Sequence, residues 1–210
     1  ISISSSADSV CVGTQVTFNA TSTNGGTIPV FQWKVNGINQ GTNDSGFTYA
    51  PVNGDNIICV LTSSNTTCTT NNPATSNTLI TTVYPNLHIS VTVTPSENPV
   101  CEGESVFLTA TANNSGINPV YQWFVNTIPV GTNDSVYTFV PVAGDQIYCI
   151  LTSSEQCTSN NPATSNTITM IVDPLLPVSI TISPSANPIC GGIPVTFTGA
   201  AINGGSTPVY

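Results

Sequence analysis

The 210-residue chain carries one Lys or Arg against ten Asp or Glu, and only 5% of its residues are charged. A single basic side chain cannot neutralise a phosphate backbone or make a polybasic contact with anionic lipid, which excludes nucleic-acid binding and electrostatic membrane attachment. A hydrophobic fraction of 39% is too high for a disordered tract, and an abundance of Thr, Ser, Asn, Val and Ile favours strands over helices.

In chain order, Ile1 to Ser4 reads as strand. Next, Val16, Phe18 and Ala20 alternate with Thr17 and Asn19, the period of a half-buried strand. Phe31, Trp33 and Val35 repeat the pattern, as do Ile57, Cys59 and Leu61. Asn24-Gly-Gly, Asn36-Gly37, Gly41-Thr-Asn-Asp44 and Asn53-Gly-Asp55 supply the turns between them. Six or seven short strands in about 90 residues predict a β-sandwich.

The whole pattern then returns. Cys11-Val-Gly-Thr-Gln-Val-Thr-Phe18 is followed by Cys101-Glu-Gly-Glu-Ser-Val-Phe-Leu108 and by Cys190-Gly-Gly-Ile-Pro-Val-Thr-Phe197, a spacing of about 90 residues. Phe31-Gln-Trp33 matches Tyr121-Gln-Trp123, and Gly41-Thr-Asn-Asp-Ser45 matches Gly131-Thr-Asn-Asp-Ser135. Asn72-Pro-Ala-Thr-Ser-Asn77 matches Asn161-Pro-Ala-Thr-Ser-Asn166 after a one-residue deletion before Cys157. Three units follow: residues 1–85, residues 86–174, and residues 175–210 as the first part of a third repeat. Pro208-Val-Tyr210 aligns with Pro29-Val-Phe31, so the natural chain is expected to continue. Val83-Tyr-Pro-Asn-Leu87 and Val172-Asp-Pro-Leu-Leu176 are short apolar linkers with Pro, expected to hold neighbours end to end in a stiff rod.

Phe31-Gln-Trp-Lys-Val-Asn-Gly37 resembles the immunoglobulin C strand, and Asp55-Asn-Ile-Ile-Cys59 resembles the approach to the F-strand cysteine. Ala20 and Ala110 stand where the B-strand cysteine of that fold would be. Together with Cys-x-Gly, Gly-Thr-Asn, and the ending Leu-Thr-Ser-Ser…Cys…Asn-Pro-Ala-Thr-Ser-Asn, the unit resembles the bacterial Ig-like repeats of giant secreted surface proteins of the Bacteroidota, including the adhesins of gliding bacteria. The resemblance covers the entire chain. It implies all-β, tandem immunoglobulin-like β-sandwich domains, about 90 residues each, and export by the type IX pathway to the cell surface.

Each full repeat has three cysteines: Cys11, Cys59 and Cys68, then Cys101, Cys149 and Cys157. Their number in so polar a chain points to an oxidising compartment. Similar repeats carry only the first and third, which implies Cys11–Cys68 and Cys101–Cys157 bridges. Cys59 and Cys149 are then buried free thiols on the inward face. Cys11–Cys59 and a bridge between neighbouring domains are the alternatives.

The remaining candidates carry little chemistry. No C-x-x-C pair suggests zinc, and without a second His beside His88 no Ser-His-Asp site assembles. Glu97, Glu102, Glu104 and Asp173 supply acids near the junctions, in no recognisable calcium loop. Asp55 and Asp145 read as turn-capping residues. Trp33 and Trp123 read as core anchors. Asp8-Ser9-Val10 and Asp134-Ser135-Val136 resemble a Bacteroidota O-glycosylation signal, which makes Ser9 and Ser135 candidate acceptors. No catalytic residue, cofactor or metal site is expected, no run is apolar enough to cross a membrane, and Lys34 is the one trypsin site. The expected role is a stalk or filament segment of an extracellular adhesin whose partners are neighbouring repeats of the same chain. The rivals are a polysaccharide-binding module presenting Tyr49, Tyr84 and Tyr137, an accessory domain of a secreted enzyme, and a subunit of a fibre built from several chains.

Overall fold

The computed structural model describes residues 1–209; Tyr210, which the sequence aligns with Phe31 and Tyr121, lies outside them. Repeat 1 is built from β1 (Ser2–Ser5), β2 (Ser9–Cys11), β3 (Val16–Thr21), β4 (Val30–Val35), β5 (Ile38–Gln40), β6 (Gly46–Tyr49), β7 (Asn56–Thr62), β8 (Ala74–Thr75), β9 (Leu79–Ile80) and β10 (Thr82–Tyr84). Repeat 2 follows as β11 (Leu87–His88), β12 (Ser90–Pro95), β13 (Val100–Cys101), β14 (Val106–Asn113), β15 (Val120–Val125), β16 (Ile128–Val130) and β17 (Val136–Phe139). It ends with β18 (Gln146–Thr152), β19 (Thr158–Ser159), β20 (Ala163–Thr164), β21 (Ile168–Thr169) and β22 (Val172–Asp173). The third unit contributes β23 (Ser179–Pro184) and β24 (Phe197–Ile202), an antiparallel pair.

The strand order is the same in both full repeats. One sheet runs β1-β3-β6 and its counterpart β12-β14-β17; the other runs β5-β4-β7-β8 and β16-β15-β18-β20, with β9 and β21 also on β7 and β18. A short early strand leaves the first sheet to pair in parallel with the last strand of its repeat: β2 with β10, and β13 with β22. Two antiparallel sheets face to face, with this switch at the edge, make each repeat an immunoglobulin-like β-sandwich.

Alternation decides which side chains fill the core. In β3, Val16 and Phe18 are fully buried while Asn19 is exposed; in β7, Ile57, Cys59 and Leu61 point inward and Asn56 and Thr62 outward. Trp33 lies at the centre of β4, in register with Cys59, and its ring stacks on Phe47 at 5.7 Å. Trp123 takes the same place opposite Cys149 and stacks on Tyr137 at 5.8 Å. Each indole N–H finds a carbonyl on the turn before β6 or β17: Asp44 at 2.9 Å and Asp134 at 2.8 Å. A buried indole therefore costs no unpaired donor. The two cores are separate: one gathers around Phe18 and Trp33, the other around Leu108 and Trp123.

The shared Pro-Ala-Thr-Ser-Asn run ties the sheets together. Asn77 accepts from the Ile3 N–H at 2.8 Å and donates to the Ile3 carbonyl at 3.1 Å; Asn166 does the same to Val93, at 2.8 and 3.0 Å. The neighbouring Ser76 and Ser165 hydroxyls accept from the Cys59 and Cys149 N–H. One side-chain amide thus replaces the ladder bonds that the first strand cannot make across the sandwich.

Candidate functional site: the junction between repeats

The segment that leaves repeat 1 is paired on both sides. In β10, Thr82, Val83 and Tyr84 lie in parallel register with Ser9, Val10 and Cys11 of β2. The Thr82 N–H donates to the Asp8 carbonyl at 3.0 Å, the Val12 N–H to the Tyr84 carbonyl at 2.9 Å, and the Val83 N–H to Asn53 Oδ1 at 2.9 Å. Only Pro85 and Asn86 then intervene before β11 pairs in parallel with β19 of repeat 2. The Leu87 N–H donates to the Cys157 carbonyl at 2.9 Å and the Ile89 N–H to the Ser159 carbonyl at 3.0 Å. Two asparagine amides close the cradle: Asn114 Nδ2 on the His88 carbonyl at 2.8 Å, and Asn160 Nδ2 on the Ile89 carbonyl at 3.0 Å. Ile89 itself is fully buried in the core of repeat 2.

A disulfide crosses the same junction. Cys11, at the end of β2, is bonded to Cys157, immediately before β19, with a sequence separation of 146 residues and a Cα–Cα distance of 5.3 Å. The bridge corrects the expected within-repeat pairs: Cys68 and Cys101 are exposed free thiols. The reason is the position of each cysteine along the sandwich. Cys11 sits beside Tyr84, where the chain leaves repeat 1. Cys68 lies in the loop after β7, at the opposite pole with Ile1 and Asn24. A within-repeat bridge would have to span the length of the domain, whereas bonded cysteines need Cα atoms less than about 7 Å apart. The third cysteine of repeat 2 lies at its entry pole, which abuts the exit pole of repeat 1. Cys59 and Cys149 are free and buried, and burial pushes both thiols up to about 11.

The other residues singled out in the sequence are dispersed. Asp55 caps the turn before β7: it accepts from the Val52 N–H at 2.8 Å, Asn36 Nδ2 at 2.8 Å and the Tyr49 hydroxyl at 3.0 Å. Burial alone would raise this carboxyl; the three hydrogen bonds outweigh it and hold Asp55 below the usual range. Burial and the adjacent carboxylate raise Tyr49. Asp145 keeps the Val142 and Asn126 contacts, at 2.9 and 2.7 Å, with Phe139 at the position of Tyr49. Tyr49 and Tyr137 are thus engaged in ring stacks within their repeats, while Tyr84 is exposed at the junction. His88 is exposed, and its carbonyl is what the fold uses. Ser9 is exposed on β2 and Ser135 is half-buried after β16. Glu102 meets Asp173 through the backbone alone, N–H to carbonyl at 2.9 Å. Among the described residues no three His, Cys, Asp or Glu side chains converge as metal ligands would.

No family model and no curated protein matches the chain. Solved structures of similar architecture include murine CEACAM1b, at 16% identity and a TM-score of 0.39 over 82% of this chain and 99% of that one. The mouse nectin-like molecule 4 ectodomain gives 12% identity and 0.35 over 82% of this chain, which spans 63% of that one. The fibronectin(III)-like modules of Clostridium thermocellum CbhA give 15% and 0.34, covering 81% and 92%. The immunoglobulin-like assignment itself stands on strand order.

Proposed function

We propose that this chain is a structural segment of an extracellular stalk, built from immunoglobulin-like repeats with a covalently stapled junction, and that it acts through spacing and stiffness rather than catalysis. The observation that carries this reading is the junction: a two-residue gap between strands paired to opposite repeats, spanned by the Cys11–Cys157 bridge. A stable disulfide fits an oxidising, extracellular setting. A surface of Thr, Ser and Asn with 5% charged residues holds water without strong fields and responds weakly to salt. The resemblance to Bacteroidota surface-adhesin repeats supports the finer reading: the stalk belongs to a cell-surface adhesin exported by the type IX system, with neighbouring repeats as its partners.

Spin labels placed on the exposed strands β5 and β16 test the stiffness. A narrow distance distribution is expected in the oxidised protein, and a broad one after reduction or in Cys11→Ser/Cys157→Ser. An equally broad distribution with the bridge intact would overturn the stalk reading. Immunogold labelling of intact and permeabilised cells tests the location: antibody against the repeats should decorate intact cells, and labelling confined to permeabilised cells would refute cell-surface display.

A further inference from the structure

The entry pole of repeat 1 carries an open groove of about 400 Å³, lined by Asn24, Cys68, Thr69, Thr70, Asn71 and Ala74 among others. Asn24, Cys68, Thr69, Thr70 and Asn71 have counterparts at the entry pole of repeat 2, and there the counterparts are occupied. Thr158 and Ser159, in the places of Thr69 and Thr70, pair with Leu87 and His88. Asn114 and Asn160, in the places of Asn24 and Asn71, hold the His88 and Ile89 carbonyls. Cys157, in the place of Cys68, is bonded to Cys11 of the preceding repeat. The backbone is already set in the same way at both poles. Asn24, Cys68 and Asn71 have φ of 58°, 58° and 56°, and Asn114, Cys157 and Asn160 have 55°, 58° and 58°. These are left-handed values, which Asn adopts readily but Cys rarely.

The complementary half lies at the exit pole of repeat 2. Cys101 ends β13 in register with Asp173, as Cys11 ends β2 in register with Tyr84. Leu176 and Val178 take the places of Leu87 and Ile89 and are 66% and 72% exposed. Pro177 replaces His88, at a position whose N–H the junction does not use. Its carbonyl already accepts from Asn203 Nδ2 at 2.9 Å, as that of His88 accepts from Asn114.

We infer that the groove around Cys68 is a socket for the linker strand of another repeat of this type, and that Cys68 forms a disulfide with that repeat's first cysteine, the position held here by Cys101. The first cysteine of every repeat is then bonded to the third cysteine of the next. Such a stalk is a continuous ladder of overlapping bridges, each spanning one junction. The chemistry balances as thiol–disulfide exchange: two thiols and one small disulfide such as oxidised glutathione give the protein disulfide and two small thiols.

The inference rests on the stalk reading and extends it to every junction. Its test is the full chain with a further copy of residues 86–179 placed before Ile1; Ile180 aligns with Ile1, so the added linker enters in register. After refolding with oxidised and reduced glutathione, non-reducing peptide mapping should find Cys101 of the added copy linked to Cys68, with Cys11–Cys157 intact. Cys68→Ser in the same chain should keep its NMR dispersion and leave the added Cys101 alkylatable, which separates pairing from folding. Cys68 free while Cys11–Cys157 forms would overturn the ladder and leave the single stapled junction standing. Loss of both bridges in a folded chain would overturn both. In the unextended chain, a peptide of residues 83–90 should shift the amide signals of Asn24, Thr69 and Asn71; shifts scattered elsewhere would count against the socket.

Discussion

Removing the staple should change how the repeats unfold, and the structure sets the size of the effect. The bridge closes 146 residues of sequence, worth about 5 kcal/mol in the chain-entropy account when the whole chain unfolds. Folded repeat 1, however, holds Cys11 against Tyr84. If repeat 2 unfolds alone, the loop runs only from Tyr84 to Cys157, about 70 residues, and the bridge still contributes about 4 kcal/mol. The mirror case is similar, because folded repeat 2 holds Leu87 against Cys157. The bridge therefore opposes either repeat unfolding alone by about 4 kcal/mol, yet opposes both unfolding together by only about 5 kcal/mol. It couples the repeats. Urea unfolding of Cys11→Ser/Cys157→Ser, followed by fluorescence in Trp33→Phe and Trp123→Phe backgrounds, reads each repeat separately. We expect one coincident transition in the oxidised protein and two separate ones in the variant. The lower midpoint should fall by roughly 2–4 M for a slope of about 1–2 kcal/mol/M. Unchanged midpoints, or two separate transitions with the bridge present, would refute the reasoning.

Three further outcomes follow from particular side chains. Asp55 is held below its ordinary range in the folded state, so its stabilising contribution is complete above the unfolded carboxyl value of about 3.9 and is lost as the pH falls through the lower folded value. Repeat 1 should thus lose stability on acidification more steeply than Asp55→Asn does, and parallel melting curves from pH 6 to pH 2 would contradict this. Gly116 has φ of 76°, and a Cβ there would meet Ser154 Oγ and lie 2.9 Å from the Glu155 nitrogen, whereas Gly144, at 89°, faces open space. Gly116→Ala should cost roughly 1–3 kcal/mol more than Gly144→Ala in chemical denaturation, because both pay for the positive φ but only the first forces a carbon into filled space; equal costs would rule out the clash. Finally, with Cys59 and Cys149 buried and pushed up to about 11, and Cys68, Cys101 and Cys190 exposed, iodoacetamide at pH 8 should label the three exposed thiols in the native state and the buried pair only in denaturant. Native labelling of Cys59, read by mass spectrometry, would place it outside the core.

The sandwich was legible because its central strands obey a simple rule. Val16, Phe18 and Trp33 alternate with polar residues, Ile57, Cys59 and Leu61 alternate with the half-buried Ile58 and Val60 between polar ends, and each of the six is buried. The turns were legible because Asn36, Gly37 and Gly54 carry left-handed backbone that few residues tolerate. The junction was not. Its strands β2, β11, β13 and β19 are two or three residues long, too short to show a period. They pair in parallel, and in the case of β11 with a strand about 70 residues away. The resemblance to repeats that keep only the first and third cysteines implied a bridge within one repeat, and the sequence does not show how the poles of neighbouring repeats meet. The one available signal was the repetition itself: when every unit carries a cysteine at its exit and another at its entry, stacking brings the two together. Tyr49 stands among the candidate aromatics of the polysaccharide-binding alternative for a similar reason, since nothing local reveals that Asp55 lies within reach of its hydroxyl.

Non-reducing peptide mapping of the folded 210-residue chain, with no further repeat attached, tests the central claim most directly. Because Lys34 offers a single tryptic site, digestion should use pepsin. One cross-linked species joining the peptides of Cys11 and Cys157 is predicted, with Cys68 and Cys101 recovered as alkylated thiols. Peptides joining Cys11 to Cys68, or Cys101 to Cys157, would confine each bridge to a single repeat and contradict the stapled junction.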